Sequence, residues 1–295
     1  MTCEASRTNP ITYNLGDRTK ECDMTQQGIS LPIERRRVLS GLGTTAVGSV
    51  VAGVVASASE AGAADVTPTA PSIFVFDVNE TLLDIEFMNP IFERVFGDRR
   101  VLREWFNQLI LYSNAVTLSG PYVTFFDLAQ GVLKMLGAVY GANVSASDID
   151  ELRTRMLTMP AHPDVVAGLR QLSGAGFRLV SFTNSPPDPN ISPLKNAGLA
   201  EWFERSFSID RVRRFKPAPQ GYHLVAEELD VEPSSLCMVA AHVWDTIGAQ
   251  SVGYSAALIT RSGNAPLVVG RLPQPQIIAP DLVGIAAMAN QRWRK

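Results

Sequence analysis

The chain has few cysteines and little net charge. Only three cysteines occur in 295 residues, and Cys3 and Cys22 lie within the first 63. This excludes a disulfide framework, and Cys237 is predicted to be a small buried apolar residue. The formal net charge of −3 provides no long-range field for a polyanion, so we expect no nucleic-acid partner. A hydrophobic fraction of 46%, against 19% charged residues, excludes a disordered polymer and allows a sizeable core.

Residues 1–63 are predicted to be a leader that is removed. Three arginines, Arg35 to Arg37, precede an uncharged run rich in glycine, alanine and valine at 40–59. Small residues that suit a cleavage enzyme follow at Ala56–Ala58 and Ala61–Ala63. Basic residues, a weak apolar stretch and a small-residue cleavage site are typical of a signal peptide. The arginine pair resembles the twin-arginine (Tat) class, so we expect export to the periplasm or the medium.

A permanent membrane anchor is the alternative explanation of this apolar run, because about 20 apolar residues can span a bilayer. Its glycines, serines and threonines make it a poor membrane helix, so we expect no stable membrane anchor after cleavage. Met24 is an alternative start of translation. Residues 64–71, rich in proline and threonine, are predicted to be a linker.

Four short apolar runs, rich in β-branched and aromatic residues, predict buried parallel strands. They alternate with helical patterns, which is typical of a Rossmann-like parallel α/β sheet that binds ligands at the carboxyl ends of its strands. Residues 72–88 and 160–295 are predicted to form this core. The predicted strands are Ser72–Phe76, Arg178–Thr183, Leu236–Ala241 and Ala256–Thr260.

Residues 89–159 interrupt this alternation, and we expect them to form an inserted all-helical cap domain over the active edge of the sheet. Ser147 is predicted to cap the last helix of the insertion. Near the end of the chain, the proline-rich residues 274–280 are expected to run over the surface before a short helix at 281–292. The helices predicted in the insertion are Val101–Asn114, Tyr122–Val139 and Asp148–Met156.

Four polar motifs at predicted strand ends carry the chemical signal. An acid after a buried strand, a hydroxyl–amide pair, a lysine and a second acid form a plausible nucleophile site. A carboxylate nucleophile splits one displacement into two steps through an ester, and a nearby lysine keeps it ionised. The second carboxylate can orient and deprotonate the water that opens the ester. The motifs are Phe76–Asp84, Ser181–Ser185, Arg214–Pro217 with Tyr222 beyond it, and Val239–Asp245.

These motifs, in this order and with a helical insertion after the first, resemble the haloacid dehalogenase (HAD) superfamily over residues 72–290. Within it the chain is most similar to the type II L-2-haloacid dehalogenases. The resemblance implies hydrolysis of 2-haloalkanoic acids to 2-hydroxyalkanoic acids through a covalent aspartyl ester, with no metal and no cofactor. Dimers are common among these enzymes, and an exposed cap face would allow a homodimer here.

The resemblance also implies roles for individual residues. Asp77 is the expected nucleophile, Thr81 and Lys216 are its supports, and Asp245 orients the hydrolytic water. For Thr81, a structural bridge in the turn after the strand is the alternative. The residues expected to contact the substrate or the halide are Asn79, Thr183, Asn184, Tyr222, His242, Phe106, Phe125 and Trp244.

Three positions depart from the family pattern and leave the halide and the substrate open. Phe106 stands where the well-studied dehalogenases have the arginine that grips the halide, so a strong anion partner is missing. Ala240 replaces a serine, and His242 replaces an asparagine. His242 is expected either to hydrogen-bond the halide or the hydrolytic water, or to be a satisfied wall residue. Arg103 either reaches into the site or is solvated.

A metal-dependent phosphatase and an exported binding protein are the alternative functions. HAD phosphatases have an aspartate as general acid where this chain has Asn79, and an acidic magnesium ligand where it has Ala241. Both differences disfavour phosphoryl transfer. Asn79 cannot act as the general acid, and Ala241 provides no carboxylate oxygen for Mg²⁺. A binding protein that keeps the pocket but has lost turnover is suggested by Phe106 and Ala240.

Whether the predicted leader directs export can be tested directly. Expressed in a bacterium with a working Tat pathway, the full chain should appear outside the cytoplasm, shortened by about 58 to 63 residues at its small-residue cleavage sites. Changing Arg35 and Arg36 to lysine should keep it inside at full length, because the twin-arginine receptor reads the arginine pair. Cell fractionation with intact-mass measurement checks this. Cytosolic, uncleaved wild-type protein would contradict it.

Overall fold

A six-stranded parallel sheet runs through the computed structural model, which describes residues 70–187 and 192–294. The strand order is 3-2-1-4-5-6, which confirms the predicted Rossmann-like α/β sheet. The predicted leader and nearly all of the predicted linker lie outside the described residues. The strands are β1 Ile73–Phe76, β2 Arg178–Thr183, β3 Arg205–Ser208, β4 Leu236–Ala240, β5 Ser255–Ile259 and β6 Ile277–Ala279.

The position of β1 in the sheet determines where a ligand can bind. All four residues of β1 are buried, as expected for a strand with helices on both faces. It pairs with β2 on one side, in the register Phe76↔Ser181, and with β4 on the other, in the register Phe76↔Val239. The chain builds the sheet outward from β1 through β3, then returns to the opposite side at β4. The carboxyl ends of β1 and β4 therefore flank the topological switch point, where open α/β sheets bind ligands.

Four helices, α1 to α4, fill the insertion between β1 and β2, where no strand occurs among the described residues. The chain enters and leaves this insertion at one point, because Leu83 forms an antiparallel bridge with Ala161. At the same point, the backbone N–H of His162 donates to the carbonyl of Leu82. The division into core and cap at residues 88/89 and 159/160 stays a prediction. The helices are α1 Asn89–Phe96, α2 Val101–Ser119, α3 Phe125–Tyr140 and α4 Ala146–Thr158.

The start of α4 shows that Ser147 is not the N-cap residue that was predicted. The helix begins two residues earlier than expected, and Ser147 lies inside it. Ser145 is the N-cap: its Oγ accepts from the backbone N–H of Asp148, whose carboxylate accepts in return from the N–H of Ser145. This reciprocal capping box satisfies two helix-end donors at once, which Ser147 cannot do.

Of the remaining five helices, α5, α8 and α9 pack against strands of the sheet. The last helix, Leu282–Trp293, confirms the short helix predicted near the end of the chain, and Asp281 is its N-cap. No helix in residues 70–187 and 192–294 is long and apolar enough to cross a membrane. The helices are α5 Val165–Gly174, α6 Pro193–Asn196, α7 Pro219–Leu229, α8 Val243–Ser251 and α9 Leu282–Trp293.

The two edge strands, β3 and β6, were not predicted. In β3 only Phe207 is buried, so no apolar run marks the strand. The prediction that residues 274–280 run over the surface is wrong for Ile277–Ala279, which pairs with β5. Buried Ile277 and Ala279 alternate with exposed Ile278, as in a strand. Because prolines flank these three residues, the sequence did not predict a strand here.

The packing of α5 against the start of α9 can be tested at Gly168. A Cβ at this position would lie 2.5 Å from Leu282 Cγ and 2.8 Å from its backbone carbon. Gly168→Ala should therefore lower the free energy of unfolding by about 1–3 kcal/mol, because the backbone of Leu282 must shift. Gly174→Ala in the same helix is the matched control, since a Cβ there meets nothing within 4 Å. Denaturant unfolding checks this, and equal stabilities for the two variants would contradict it.

Candidate active site

Asp77 follows β1 directly and is held at the switch point of the sheet. Its backbone N–H donates to Val239 of β4 at 3.0 Å and continues the strand pairing. Its Oδ2 accepts from Thr81 Oγ1 at 2.6 Å, and its Oδ1 accepts from Lys216 Nζ at 2.8 Å. Burial raises the pKa of Asp77, but Lys216 and then His242 lower it by more, so the net pKa lies well below its usual range. Asp77 is therefore ionised, as a nucleophile requires.

The ammonium of Lys216 joins the motifs into one site. Its Nζ donates to Asp77 Oδ1 at 2.8 Å, to Asp245 Oδ2 at 2.6 Å and to the carbonyl of Phe182 at 3.0 Å. The side chain is fully buried, which by itself would lower its pKa. The two carboxylates, Asp245 first, more than offset burial and raise the pKa of Lys216. All three ammonium hydrogens have acceptors, so the buried charge is fully paired.

Asp245 lies behind Lys216 and is completely buried. Its Oδ2 accepts from Lys216, and its Oδ1 accepts from the hydroxyl of Tyr222 at 2.6 Å. Burial raises the pKa of Asp245 despite the opposing effect of Lys216. Burial, followed by the charge of Asp245, likewise raises the pKa of Tyr222 well above its usual value. Both carboxylate oxygens of Asp245 are therefore occupied by protein donors.

Thr81 connects the first motif to the fourth. Its Oγ1 donates to Asp77 and accepts from the backbone N–H of Ala241 at 2.9 Å. The hydroxyl thus orients the carboxylate and bridges two strand ends, so both roles considered for Thr81 are present in the geometry.

His242 contacts the same carboxylate from another side. Its Nδ1 lies 3.5 Å from Asp77 Oδ2, is buried and has no hydrogen-bond partner among the described residues. The ring stacks on Trp244, with centroids 5.0 Å apart, and lies 5.4 Å from Phe106. Burial lowers the pKa of His242, but Asp77 and Glu80 outweigh burial and raise it to about 9. Trp244 and Phe106, the residue that stands in place of the arginine, thus pack against the imidazole.

Glu80 is the functional residue that the sequence analysis missed. Its Oε2 lies 2.7 Å from Nε2 of His242, and its Oε1 accepts from Asn264 Nδ2 at 2.8 Å and pairs with Arg103. The side chain is buried, and the backbone has a φ of 67°, a left-handed conformation that residues other than glycine seldom adopt. An acid between a nucleophile and its supporting threonine was the available signal. Arg103 forms no hydrogen bond with Asp77: its guanidinium is partly exposed to solvent and pairs with Glu80.

The second motif and Phe125 support the site from the side. Asn184 Oδ1 accepts from the backbone N–H of Lys216 at 2.9 Å and so fixes the lysine loop. Thr183 Oγ1 accepts from Ser185, and Thr183 and Asn79 line a cleft of about 170 Å³. Phe125 packs on Phe215 next to the lysine, with ring centroids 6.0 Å apart. Within residues 70–187 and 192–294, the side chains of Asn79, Thr183 and Phe125 form no hydrogen bond with Asp77.

A cavity of about 480 Å³ adjoins His242. One wall is apolar and aromatic, and the other carries carboxylate, guanidinium and amide groups, a combination typical of small-molecule sites. In the described part of the chain, no group of three His, Cys, Asp or Glu side chains could hold a metal ion. The cavity is lined by Glu80, Arg103, Phe106, His242, Trp244 and Asn264, among others.

Comparison with known proteins gives a consistent family. Residues 71–253 match the family described as haloacid dehalogenase-like hydrolase. The (S)-2-haloacid dehalogenase 1 of Pseudomonas sp. (strain CBS-3) is 29% identical over 206 residues, which cover 68% of this chain and 88% of that protein. The (S)-2-haloacid dehalogenase of Xanthobacter autotrophicus is 29% identical over 189 residues, 63% of this chain and 74% of that protein.

A solved structure shows the same fold. The L-2-haloacid dehalogenase from Xanthobacter autotrophicus, with chloropropionic acid covalently bound, superimposes with a TM-score of 0.68 at 24% identity. The superposition covers 75% of this chain and 99% of that chain.

The charge of Asp77 should control the proton on His242. In the Asp77→Asn variant the pKa of His242 should fall below its value of about 9, because a neutral amide no longer favours the imidazolium. A pH titration of the ring NMR signals measures this, with the signals of His223 as an internal control. The raised pKa stabilises the wild-type fold fully below pH 6.5 and loses its contribution as the pH rises through about 9. An unchanged His242 titration in the variant would contradict the assignment.

Proposed function

The chain belongs to the haloacid dehalogenase-like hydrolases, and we propose that it converts 2-haloalkanoic acids and water to 2-hydroxyalkanoic acids and halide through an ester on Asp77. The observation that carries the proposal is the ionised Asp77, held between Thr81 and the buried ammonium of Lys216 at the end of β1. The similarity to two (S)-2-haloacid dehalogenases over about two thirds of the chain supports the choice of substrate.

In the first step a carboxylate oxygen of Asp77 attacks C2 of the substrate. A C–O bond forms, and the halide leaves with the electrons of the C–halogen bond. Halide is a weak base, so no proton donor is needed, and Asn79 is compatible with this step. Lys216 stays protonated throughout, because Asp245 and Asp77 surround its ammonium.

In the second step water opens the ester, and we assign the proton transfer to His242. Esterification removes the negative charge of Asp77, which is one of the two groups that hold the imidazole protonated. His242 then loses its proton. Its Nδ1 faces Asp77, has no hydrogen-bond partner in the described part of the chain, and can accept a proton from water. The hydroxide adds to Cγ of Asp77, and the alkoxide of the product leaves and takes the proton from His242. The carboxylic acid formed on Asp77 then gives its proton to His242, which restores the starting state. The proton that His242 lost before hydrolysis is therefore the one proton released to the solvent per turnover.

Asp245 has a different task in this scheme. Its two oxygens are engaged by Lys216 and Tyr222, so it keeps the lysine in place beside Asp77. Such a preorganised charge stabilises the oxyanion that forms when the ester is attacked. We therefore assign Asp245 to holding Lys216 in place, and not to orienting the water as the sequence predicted.

The geometry disfavours the phosphatase alternative. A magnesium ion would need the carboxylate oxygens of Asp77 and Asp245, yet all four of these oxygens accept hydrogen bonds from protein donors: Lys216, Thr81 and Tyr222. The exported binding protein remains as the alternative that the activity test decides. Export and a homodimer stay predictions.

Isotope labelling distinguishes the covalent route from direct attack by water. With excess enzyme and chloroacetate in H₂¹⁸O, a single turnover should place the label in Asp77 and leave the product hydroxyl unlabelled, because the product oxygen comes from the carboxylate. Mass spectrometry of glycolate and of the peptide containing Asp77 measures this. Labelled product in the first turnover would refute the ester.

Two controls complete the labelling experiment. Asp77→Asn should reduce halide release by a factor of at least about 10⁴, as loss of a nucleophile does, while the thermal transition stays cooperative. EDTA should leave the rate unchanged. Phosphate release that requires Mg²⁺, without halide release, would instead support the phosphatase alternative.

A further inference from the structure

Arg103 connects the inserted helices to the catalytic loop. It lies in the first turn of α2, and its guanidinium pairs with Glu80 Oε1, the oxygen that His242 does not use. The same guanidinium donates to the carbonyl of Ser262 at 3.3 Å and lies 3.4 Å from the carboxylate of Glu86. One side chain of the insertion thus contacts the loop after β1 and the loop after β5.

The loop after β5 is shaped to receive this guanidinium. Gly263 has a φ of 81°, and a Cβ there would lie 3.3 Å from the guanidinium carbon of Arg103. The next residue, Asn264, donates to the same Glu80 oxygen as Arg103. Two donors from different parts of the chain therefore hold Oε1, which leaves Oε2 directed at the imidazole.

We propose that Arg103 is a positioning residue for hydrolysis of the ester: by holding Glu80 from α2, it keeps His242 oriented toward Asp77. The inference rests on the proposed function. His242 has two nitrogens, and Nδ1 faces Asp77 only while Nε2 is held by Glu80. Because Arg103 belongs to the insertion, the base is held in place only when α2 is seated on the catalytic loop. The insertion therefore contributes to the second step and not only to enclosing the substrate.

The proposal separates the two chemical steps. Ester formation needs Asp77, Thr81 and Lys216, none of which contacts Arg103. Arg103→Met should therefore leave the first step nearly unchanged and slow ester hydrolysis about tenfold to a hundredfold, the effect expected when a charged hydrogen-bond partner is lost. The alkylated enzyme should accumulate.

The experiment uses the full chain and chloroacetate, with acid quenching and intact-mass measurement during steady-state turnover. Wild-type protein should be mostly unmodified, whereas Arg103→Met should carry one carboxymethyl group, located on Asp77 by peptide mapping. Arg103→Lys should restore part of the rate, because it keeps the charge. Arg100→Met is the matched control: Arg100 immediately precedes α2, is exposed and pairs only with Asp98 among the described residues. It should behave as wild type.

A double-mutant cycle tests whether Arg103 acts through Glu80. In a Glu80→Gln background, Arg103→Met should have no further effect on ester hydrolysis, whereas a merely structural role would add its own loss. Unfolding midpoints of Arg103→Met and Arg100→Met compare the folds. Additive effects, a slowed first step, or a wild-type hydrolysis rate in Arg103→Met would overturn the proposal.

Failure of the proposed function gives a different pattern. If wild-type protein releases no halide, or releases it without forming the ester, the proposed function fails. The ring NMR signals of His242 then still decide the role of Arg103. A shift of these signals in Arg103→Met, but not in Arg100→Met, would support the contact through Glu80, and identical signals in both would overturn it.

Discussion

The buried ammonium of Lys216 is the interaction on which the site depends. Its three hydrogens bind Asp77, Asp245 and the carbonyl of Phe182, which come from the ends of β1 and β2 and the first turn of α8. An unpaired charge at this depth would cost several kcal/mol, so each acceptor has to be present for the others to be tolerated. The strand order makes this possible, because parallel strands bring their carboxyl ends to one edge of the sheet.

Charge balance around this ammonium links the two chemical steps. Three carboxylates and three cations face one another, and in the proposed mechanism ester formation removes the charge of one carboxylate. The imidazole nearest the reacting carboxylate is the group that responds, because its proton depends on that charge. In the proposed reaction, the first step thus changes the protonation of the group assigned to the second step. The six groups are Asp77, Glu80, Asp245, Lys216, His242 and Arg103.

The absence of the arginine at Phe106 changes how the pocket handles negative charge. The phenyl ring of Phe106 and the indole of Trp244 enclose His242, so the cation nearest Asp77 from this direction is a titratable imidazolium and not a permanent guanidinium. A permanent charge can bind an anion but cannot accept a proton from water. With Phe106 in place of the arginine and His242 held by Glu80, the site gives up a fixed anion contact and gains a group that can act as a base.

The sequence by itself determined the sheet centre, the helical insertion and the principal charged residues. Continuous apolar runs such as Ile73–Phe76 identify buried strands, and the acids and lysine at strand ends follow from the topology of parallel sheets. The edge strand β6 and the contacts of Glu80 could be recognised only in the folded structure. Glu80 meets His242, 162 positions away, and Arg103 on another element. Local patterns record periodicity and burial, whereas pairing between distant polar side chains depends on how the elements pack.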